Sequence, residues 1–382
     1  MTGPLNGVKV LDIGAYAVGP GATAYLGFLG ADVIRIEGPN GDGLMDADPM
    51  MNGMGPSYIN ANLHKKNITL NLKDDKDLKT AHSLARWADI LIENRLPGVA
   101  ERLGLGYQDV ATINPKIIYI SSPGFGSAGP YAKAPALDQY IQILSGFASI
   151  QGQEGGKGEL FRAIGHLDWN TSASIVQAAI LGLIYRHKTN IGQRIEVWHY
   201  STALFLQITR IAEFFATSAT DLPLGSASTI YAPSQSFKCL DNKYINITIT
   251  NDQEWYSLCK ALTLDEKIIQ DKRFSSNNNR IKNRSVLANT IESRTQEGPA
   301  WWWIKHLRKH EIVCGPIYEL QDIIRDPHVQ DQQLIIRIDT AWGKLLHSSH
   351  PWKFSETNLD PIQGTHKPGQ DKEEVIKIIK DL

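Results

Sequence analysis

Short apolar runs alternate with amphipathic stretches through the first two hundred residues. Residues 8–13 are a short, mostly apolar strand, 14–21 a glycine-rich turn, 22–29 a helical stretch, and 33–36 a second strand. That order predicts a right-handed βαβ unit. The alternation then repeats, with 67–72 as strand, 75–87 as helix and 90–93 as strand. Residues 116–120 make a further strand, ended by Pro123-Gly124-Phe125-Gly126. Strands alternating with helices predict a doubly wound, Rossmann-like α/β domain.

The texture changes near residue 215. Residues 221–234 are rich in Gly, Ser and Pro and read as a connecting loop, and 244–250 alternate with the period of a strand. Helical patterns follow through residue 308, broken by a polar loop at 275–279, and residues 316–324 and 372–382 close the pattern. The expected organisation is a large α/β domain over 1–200, a linker over 201–224 and a smaller α+β domain over 225–325. Residues 326–382 are expected to link back to the large domain.

With 382 residues, 42% apolar residues and a formal net charge of −1, the chain has the composition of a soluble globular protein. It carries no basic block of the kind that binds nucleic acid and no basic amphipathic helix for a membrane surface. No apolar run approaches the roughly 20 residues that span a bilayer. Residues 1–9 lack the pattern of a secretory signal. Cys239, Cys259 and Cys314 lie far apart with no metal-ligand spacing, which predicts reduced thiols, no metal site and a cytoplasmic protein.

Four features carry candidate chemistry. Gly14, Gly19 and Gly21 sit where a dinucleotide-binding loop would, but the spacing is wrong and Pro20 removes a backbone donor, so a tight turn is the better reading. Lys65 precedes the predicted strand 67–72, Lys73 ends it, and Arg95 and Arg102 follow the next strand. Cations at the carboxyl ends of parallel strands face the crevice where α/β folds bind ligands, and they suit a polyphosphate. Asp168 stands alone in an apolar and aromatic segment ahead of a long small-residue helix. A helix N-terminus favours an ionised carboxylate, as a nucleophile toward an acyl group requires; an Asp there can equally be a plain cap. The histidines form no catalytic set, although His166 lies two residues before Asp168. Trp301-Trp302-Trp303 reads as helix with at least one ring in the core.

Taken in order, the motifs resemble the family III CoA-transferases, which include formyl-CoA:oxalate and carnitine CoA-transferases and the related α-methylacyl-CoA racemases. Leu5 to Asp12 with Gly19-Pro20, Leu29 to Pro39, Asn62 to Lys66, Ala88 to Gly104, Gly124 to Pro130, Asp138 with Ser145-Gly146, Arg186 to Gln193, Asp271 to Phe274 and Asp326-Pro327-His328 are each similar to a family segment. The resemblance implies an interlocked homodimer of open-ring subunits, with CoA or acyl-CoA and a small carboxylic acid as substrates. It places Asp168 at the catalytic aspartate. Lys65, Lys73, Arg95 and Arg102 would hold the CoA phosphates, Leu70, Asn94 and Leu103 would frame the adenine, and Tyr16 would line the pantetheine entry. Oxyanion donors are expected among the backbone N–H groups near Asp168 or in the loop around Gly225.

Three departures sharpen the expectation. Leu137 stands where the racemases carry a second acid/base histidine, so racemisation is the weaker reading. Gly38 and Pro135 replace cations found near the nucleotide in many transferases. Residues 225–233 lack the glycine run that forms a lid in the oxalate enzyme. A racemase or isomerase, and a non-catalytic CoA-binding protein of the same fold, are the alternative readings.

Overall fold

A computed structural model describes residues 2–161, 165–218 and 222–380. The chain divides into two compact units. One comprises Met1–Ala148, Leu160–Ala219 and Gln332–Leu382; the other comprises Ser149–Glu159 and Thr220–Asp331.

The first unit is built on a parallel sheet of six strands: β1 (Lys9–Asp12), β2 (Asp32–Glu37), β3 (Lys66–Thr69), β4 (Ile90–Glu93), β5 (Ile118–Ser121) and β6 (Gln193–Glu196). Their order is β3-β2-β1-β4-β5-β6, all parallel, which is a doubly wound mixed α/β architecture. The strand order reverses between β1 and β4, and the crevice beyond their carboxyl ends is where such folds bind ligands. On one face of the sheet lie helices α1 (Val18–Phe28) and α4 (His166–Thr189), which share a core with Val10, Val33, Ile90, Ile118 and Ile120. On the other lies α2 (Asp75–Trp87), packed with Leu11, Ile34, Ile68 and Leu91. Two apolar faces explain why the central strands β4 and β5 read as nearly continuous apolar runs. Asp74 caps α2, accepting from the N–H groups of Lys76 and Asp77.

Shorter helices of this unit include α3 (Asp138–Leu144), α5 (His199–Leu206) and α6 (Ile208–Thr217). The residues expected to begin a linker at 201 are therefore helical as far as Thr217. The first helix also starts earlier than expected, taking in Gly19, Pro20 and Gly21. Proline is tolerated in a first helical turn, where its missing N–H has no partner to lose. Gly21 is required for a different reason: a Cβ there would lie 2.8 Å from the Trp169 ring. After the hairpin Ile335–Thr340 and Gly343–Ser348, the chain ends its described course in α7 (Lys372–Lys380), whose Val375 joins the α2 face.

The second unit carries an antiparallel sheet of Ser234–Lys238, Tyr244–Thr248 and Val313–Pro316. Its core centres on Phe237, Trp255, Phe274 and Trp303. Trp303 is the inward ring of its triplet and donates to the Thr295 carbonyl, while Trp301 and Trp302 are exposed. The polar run 275–279 is a helix start instead of a loop: Ser276 caps Asn277–Lys282 through the Asn279 N–H. No helix among the described residues is long and apolar enough to cross a membrane.

Candidate active site

The carboxyl edge of the sheet gathers three of the expected ligand-binding residues. Tyr16 lies in the loop after β1 with φ +57°, a conformation a tyrosine adopts only when held. Asn94, just beyond β4, clamps that loop: its Oδ1 accepts from Ala15 N–H at 2.8 Å and its Nδ2 donates to Ala15 carbonyl at 2.8 Å. Asp42 accepts the Tyr16 N–H at 2.9 Å. Arg95 leans across the switch point, its Nε donating to the Ile13 carbonyl at 3.2 Å. Lys73 and Arg102 are exposed, and Leu103 is half-buried.

Two expected contacts are corrected by burial. Lys65 is buried, and its Nζ donates to Asp12 (2.9 Å), Pro20 carbonyl (2.7 Å) and Ala61 carbonyl (2.7 Å), with Asn62 Oδ1 at 3.2 Å. An ammonium has three protons to give, so none remains for a CoA phosphate. Leu70 is buried in the core on the α2 side, so its side chain does not frame a ligand.

Lys65 belongs to a buried ionic network beneath the edge that sequence reading did not anticipate. Arg35 reaches Asp12 and Glu37 at 3.2 Å and Asp42 at 2.8 Å. Burial pushes the Asp12 carboxyl up, but Lys65 and Arg35 outweigh it and hold the group below the ordinary carboxylate range. Burial presses Lys65 down to about 8 against the pull of Asp12. Arg35, Glu37 and Asp12 alternate with apolar residues on strands, and nothing in the sequence tells a buried ion pair from surface charge. The network fixes the loop carrying Tyr16 through Asp42.

Asp168 lies in the first turn of α4, which α1 holds against the sheet. Ser172 Oγ donates to the Val18 carbonyl at 2.8 Å, and the Trp169 ring packs on Gly21 and on Tyr25, with ring centroids 5.9 Å apart. Trp169 thus faces α1 and the wall of an apolar cavity of about 1130 Å³ that Tyr25, Phe28, Trp352 and Phe354 also line. The residue before α4 is Gly165, with φ +56°, and a Cβ there would sit 3.1 Å from Asp168 Oδ2. Glycine both permits the backbone turn and leaves that oxygen uncovered.

The helix N-terminus serves a different acid. Asp138 Oδ2 accepts from Leu167 N–H at 2.7 Å and Asp168 N–H at 3.2 Å, while Gln142 donates to its Oδ1. Trp169 N–H turns back to the Gly165 carbonyl. Asp138 therefore takes the anion-stabilising position that the sequence suggested for Asp168, and these backbone N–H groups are not oxyanion donors. The outcome for Asp168 is reversed: burial first, and the neighbouring Asp138 charge second, push its pKa up to about 7.

Facing Asp168 is a residue that sequence reading missed. His199, at the start of α5, is buried, and its Nε2 points at Asp168 Oδ1 from 3.6 Å with no hydrogen-bond partner. Burial drives its pKa down to about 4, so the imidazole is neutral near pH 7. The only available signal was its place directly after a strand at the ligand-binding edge. His166 is spent on packing between Phe147 and Phe161, at 5.5 and 5.4 Å. Asp138, Asp168 and His199 offer ligand atoms within 4.8 Å of one another. Asp138 already accepts three N–H groups.

The family model described as CoA-transferase family III matches residues 5–372. Succinyl-CoA:glutarate CoA-transferase from Homo sapiens is 30% identical over 371 residues, covering 95% of this chain and 84% of that protein. Acetyl-CoA:oxalate CoA-transferase from Acetobacter aceti is 30% identical over 373 residues, covering 97% and 94%. Among solved structures, a CAIB/BAIF family protein from Brucella suis superimposes with a TM-score of 0.90 at 27% identity, covering 99% of this chain and all of that one.

Proposed function

This chain belongs to CoA-transferase family III, and we propose that it moves CoA from an acyl-CoA to a carboxylic acid by covalent catalysis on Asp168. The observation that carries the reading is the placement of that carboxylate. It heads α4, uncovered at Oδ2 over Gly165, with its charge withheld from the helix N-terminus by Asp138. A carboxylate poised near neutrality and not locked in an ion pair keeps its nucleophilicity.

Oδ2 attacks the donor thioester carbonyl and the C–S bond breaks. CoA leaves as thiolate and a mixed anhydride remains. The thiolate then attacks Asp168 Cγ, the bond to the donor acid breaks, and an aspartyl-CoA thioester forms. An acceptor carboxylate runs the same steps in reverse. One thioester replaces another, so no ATP is consumed.

Tyr16, Asn94 and Arg95 at the switch point would receive the pantetheine and nucleotide, with Lys73, Arg102 and Leu103 at the outer end. The relatives' names make succinyl-CoA and acetyl-CoA the first donors to test, with glutarate and oxalate as acceptors. The protein acts as an interlocked homodimer. Supporting this are apolar side chains left exposed along α4 and α6, among them Leu181 (64%), Ile208 (60%) and Phe215 (81%), which a lone chain in water would bury.

Intact mass after brief incubation with each donor tests the mechanism. A CoA-sized adduct, absent in Asp168→Ala and released by hydroxylamine, is expected. Binding of CoA without any adduct would overturn it and favour the racemase or binding-only alternative. Deuterium wash-in at the α-carbon of a 2-methylacyl-CoA separates those two.

A further inference from the structure

Resting on the Asp168 mechanism, we propose that His199 is the oxyanion donor for attack at Asp168's own carboxyl carbon. The two carboxylate oxygens of Asp168 stand in different surroundings. Oδ2 lies over the bare Cα of Gly165, open to an electrophile. Oδ1 faces His199 Nε2 at 3.6 Å. If Oδ2 is acylated, Oδ1 becomes the carbonyl oxygen of the aspartyl half of the anhydride. When the CoA thiolate adds to Cγ, the negative charge develops on Oδ1. Expulsion of the donor acid as its carboxylate then restores the carbonyl. The electron pair comes from sulfur and leaves on the departing acid, so no net proton moves, and the step needs a fixed N–H donor more than an acid or base.

His199 has the properties of such a donor. It is buried at the start of α5, and its Nε2 is an orphaned polar atom aimed at Oδ1. A buried polar nitrogen without a partner is costly to the fold, and Nε2 carrying the ring proton gains its partner when charge builds on Oδ1. The backbone N–H groups of Leu167, Asp168 and Trp169 cannot take this part, since Asp138 and the Gly165 carbonyl already hold them. The imidazole stays neutral, so it donates without surrendering its proton. The separation of 3.6 Å is longer than a formed hydrogen bond, as a donor set for the transition state and not for the resting carboxylate should be.

The test is the rate at which the CoA adduct appears in rapid-quench mass spectrometry with succinyl-CoA. Loss of one oxyanion donor costs about 10²–10³-fold in such steps. His199→Met is therefore expected to slow adduct formation by about 10²-fold, with the dissociation constant for CoA unchanged. His199→Gln, which can return an N–H near the same place, is expected to recover to within about tenfold of wild type. Adduct formation in His199→Met within threefold of wild type would overturn the proposal and leave the Asp168 mechanism standing. A wild type that forms no adduct would overturn both. If the Met variant fails to fold, ring ¹⁵N shifts of His199 in the wild type decide: a proton on Nε2 supports the assignment, and a bare Nε2 refutes it.

Discussion

Replacing Asp168 by Asn should make the protein more stable, and the gain should depend on pH. In the folded chain burial and the Asp138 carboxylate raise the Asp168 pKa from an ordinary 3.8 to about 7. Each pH unit of displacement corresponds to about 1.36 kcal/mol, so ionising Asp168 in place costs at most roughly 4 kcal/mol. The side chain is 24% exposed, and relaxation around it reduces that ceiling to an expected 2–4 kcal/mol. Below about pH 4 the folded and unfolded chains both carry the proton, and the variant and wild type should match closely. Between about pH 4 and 7 the unfolded chain releases its proton while the folded chain keeps it, so wild-type stability falls with rising pH. Above about pH 7 the gap is full and constant. Urea unfolding followed by tryptophan fluorescence at pH 4.5, 6 and 8, at one protein concentration, measures it. A gap that does not change across that range would refute the claim that Asp168 is held against its own charge.

The same shift sets the activity profile: adduct formation should rise about tenfold per pH unit up to pH 7 and level off, as single-turnover rates will show. Lys65→Met should destabilise the fold by about 3–5 kcal/mol, because Asp12 is left buried with a partner missing; unchanged stability with weakened CoA binding would return Lys65 to the ligand site. Lys73→Ala and Arg102→Ala should leave the unfolding midpoint unmoved and raise the CoA dissociation constant about 5–30-fold, an effect that shrinks in high salt. Gly165→Ala should abolish most adduct formation by straining a left-handed backbone and crowding Oδ2, visible in the intact-mass assay.

Five of the six sheet strands were legible, most clearly β4 and β5, which burial on both faces writes as apolar runs, while the polar edge strand β6 (Gln193–Glu196) was not; α2 was legible because its cap and amphipathic face agree. Residues 201–217 fold as two helices where a linker is expected, and the Gly-, Ser- and Pro-rich composition that marks a connection begins only at residue 221. At the site, Asp168 stood out as a lone carboxylate ahead of a long helix, and its placement there does not depend on distant residues. Its charge state does: Asp138 takes the helix N–H groups from thirty positions away, and His199 arrives from the end of another strand. Lys65 was misassigned for a related reason, since its partners Asp12 and Pro20 are brought to it only by sheet order. Local patterning reports a residue's neighbours along the chain, while pKa and hydrogen-bond occupancy report its neighbours in space.

The outer strand β3 owes its finish to residues some 300 positions downstream. Asp371 accepts the Asn67 N–H at 2.7 Å and donates its own N–H to the Asn67 carbonyl, while Gly369 N–H bonds the Asn67 side chain. Thr365 reaches the Ile59 carbonyl in the same segment. At about 5–20 residues per second on the ribosome, residue 371 emerges roughly 15–60 s after β3 itself. Throughout that interval a growing chain carries a bare strand edge of the kind that pairs with other chains. Nascent molecules of this protein should therefore depend on chaperone cover late in synthesis, and truncation just before residue 363 should yield aggregates where loss of a surface tail would be harmless.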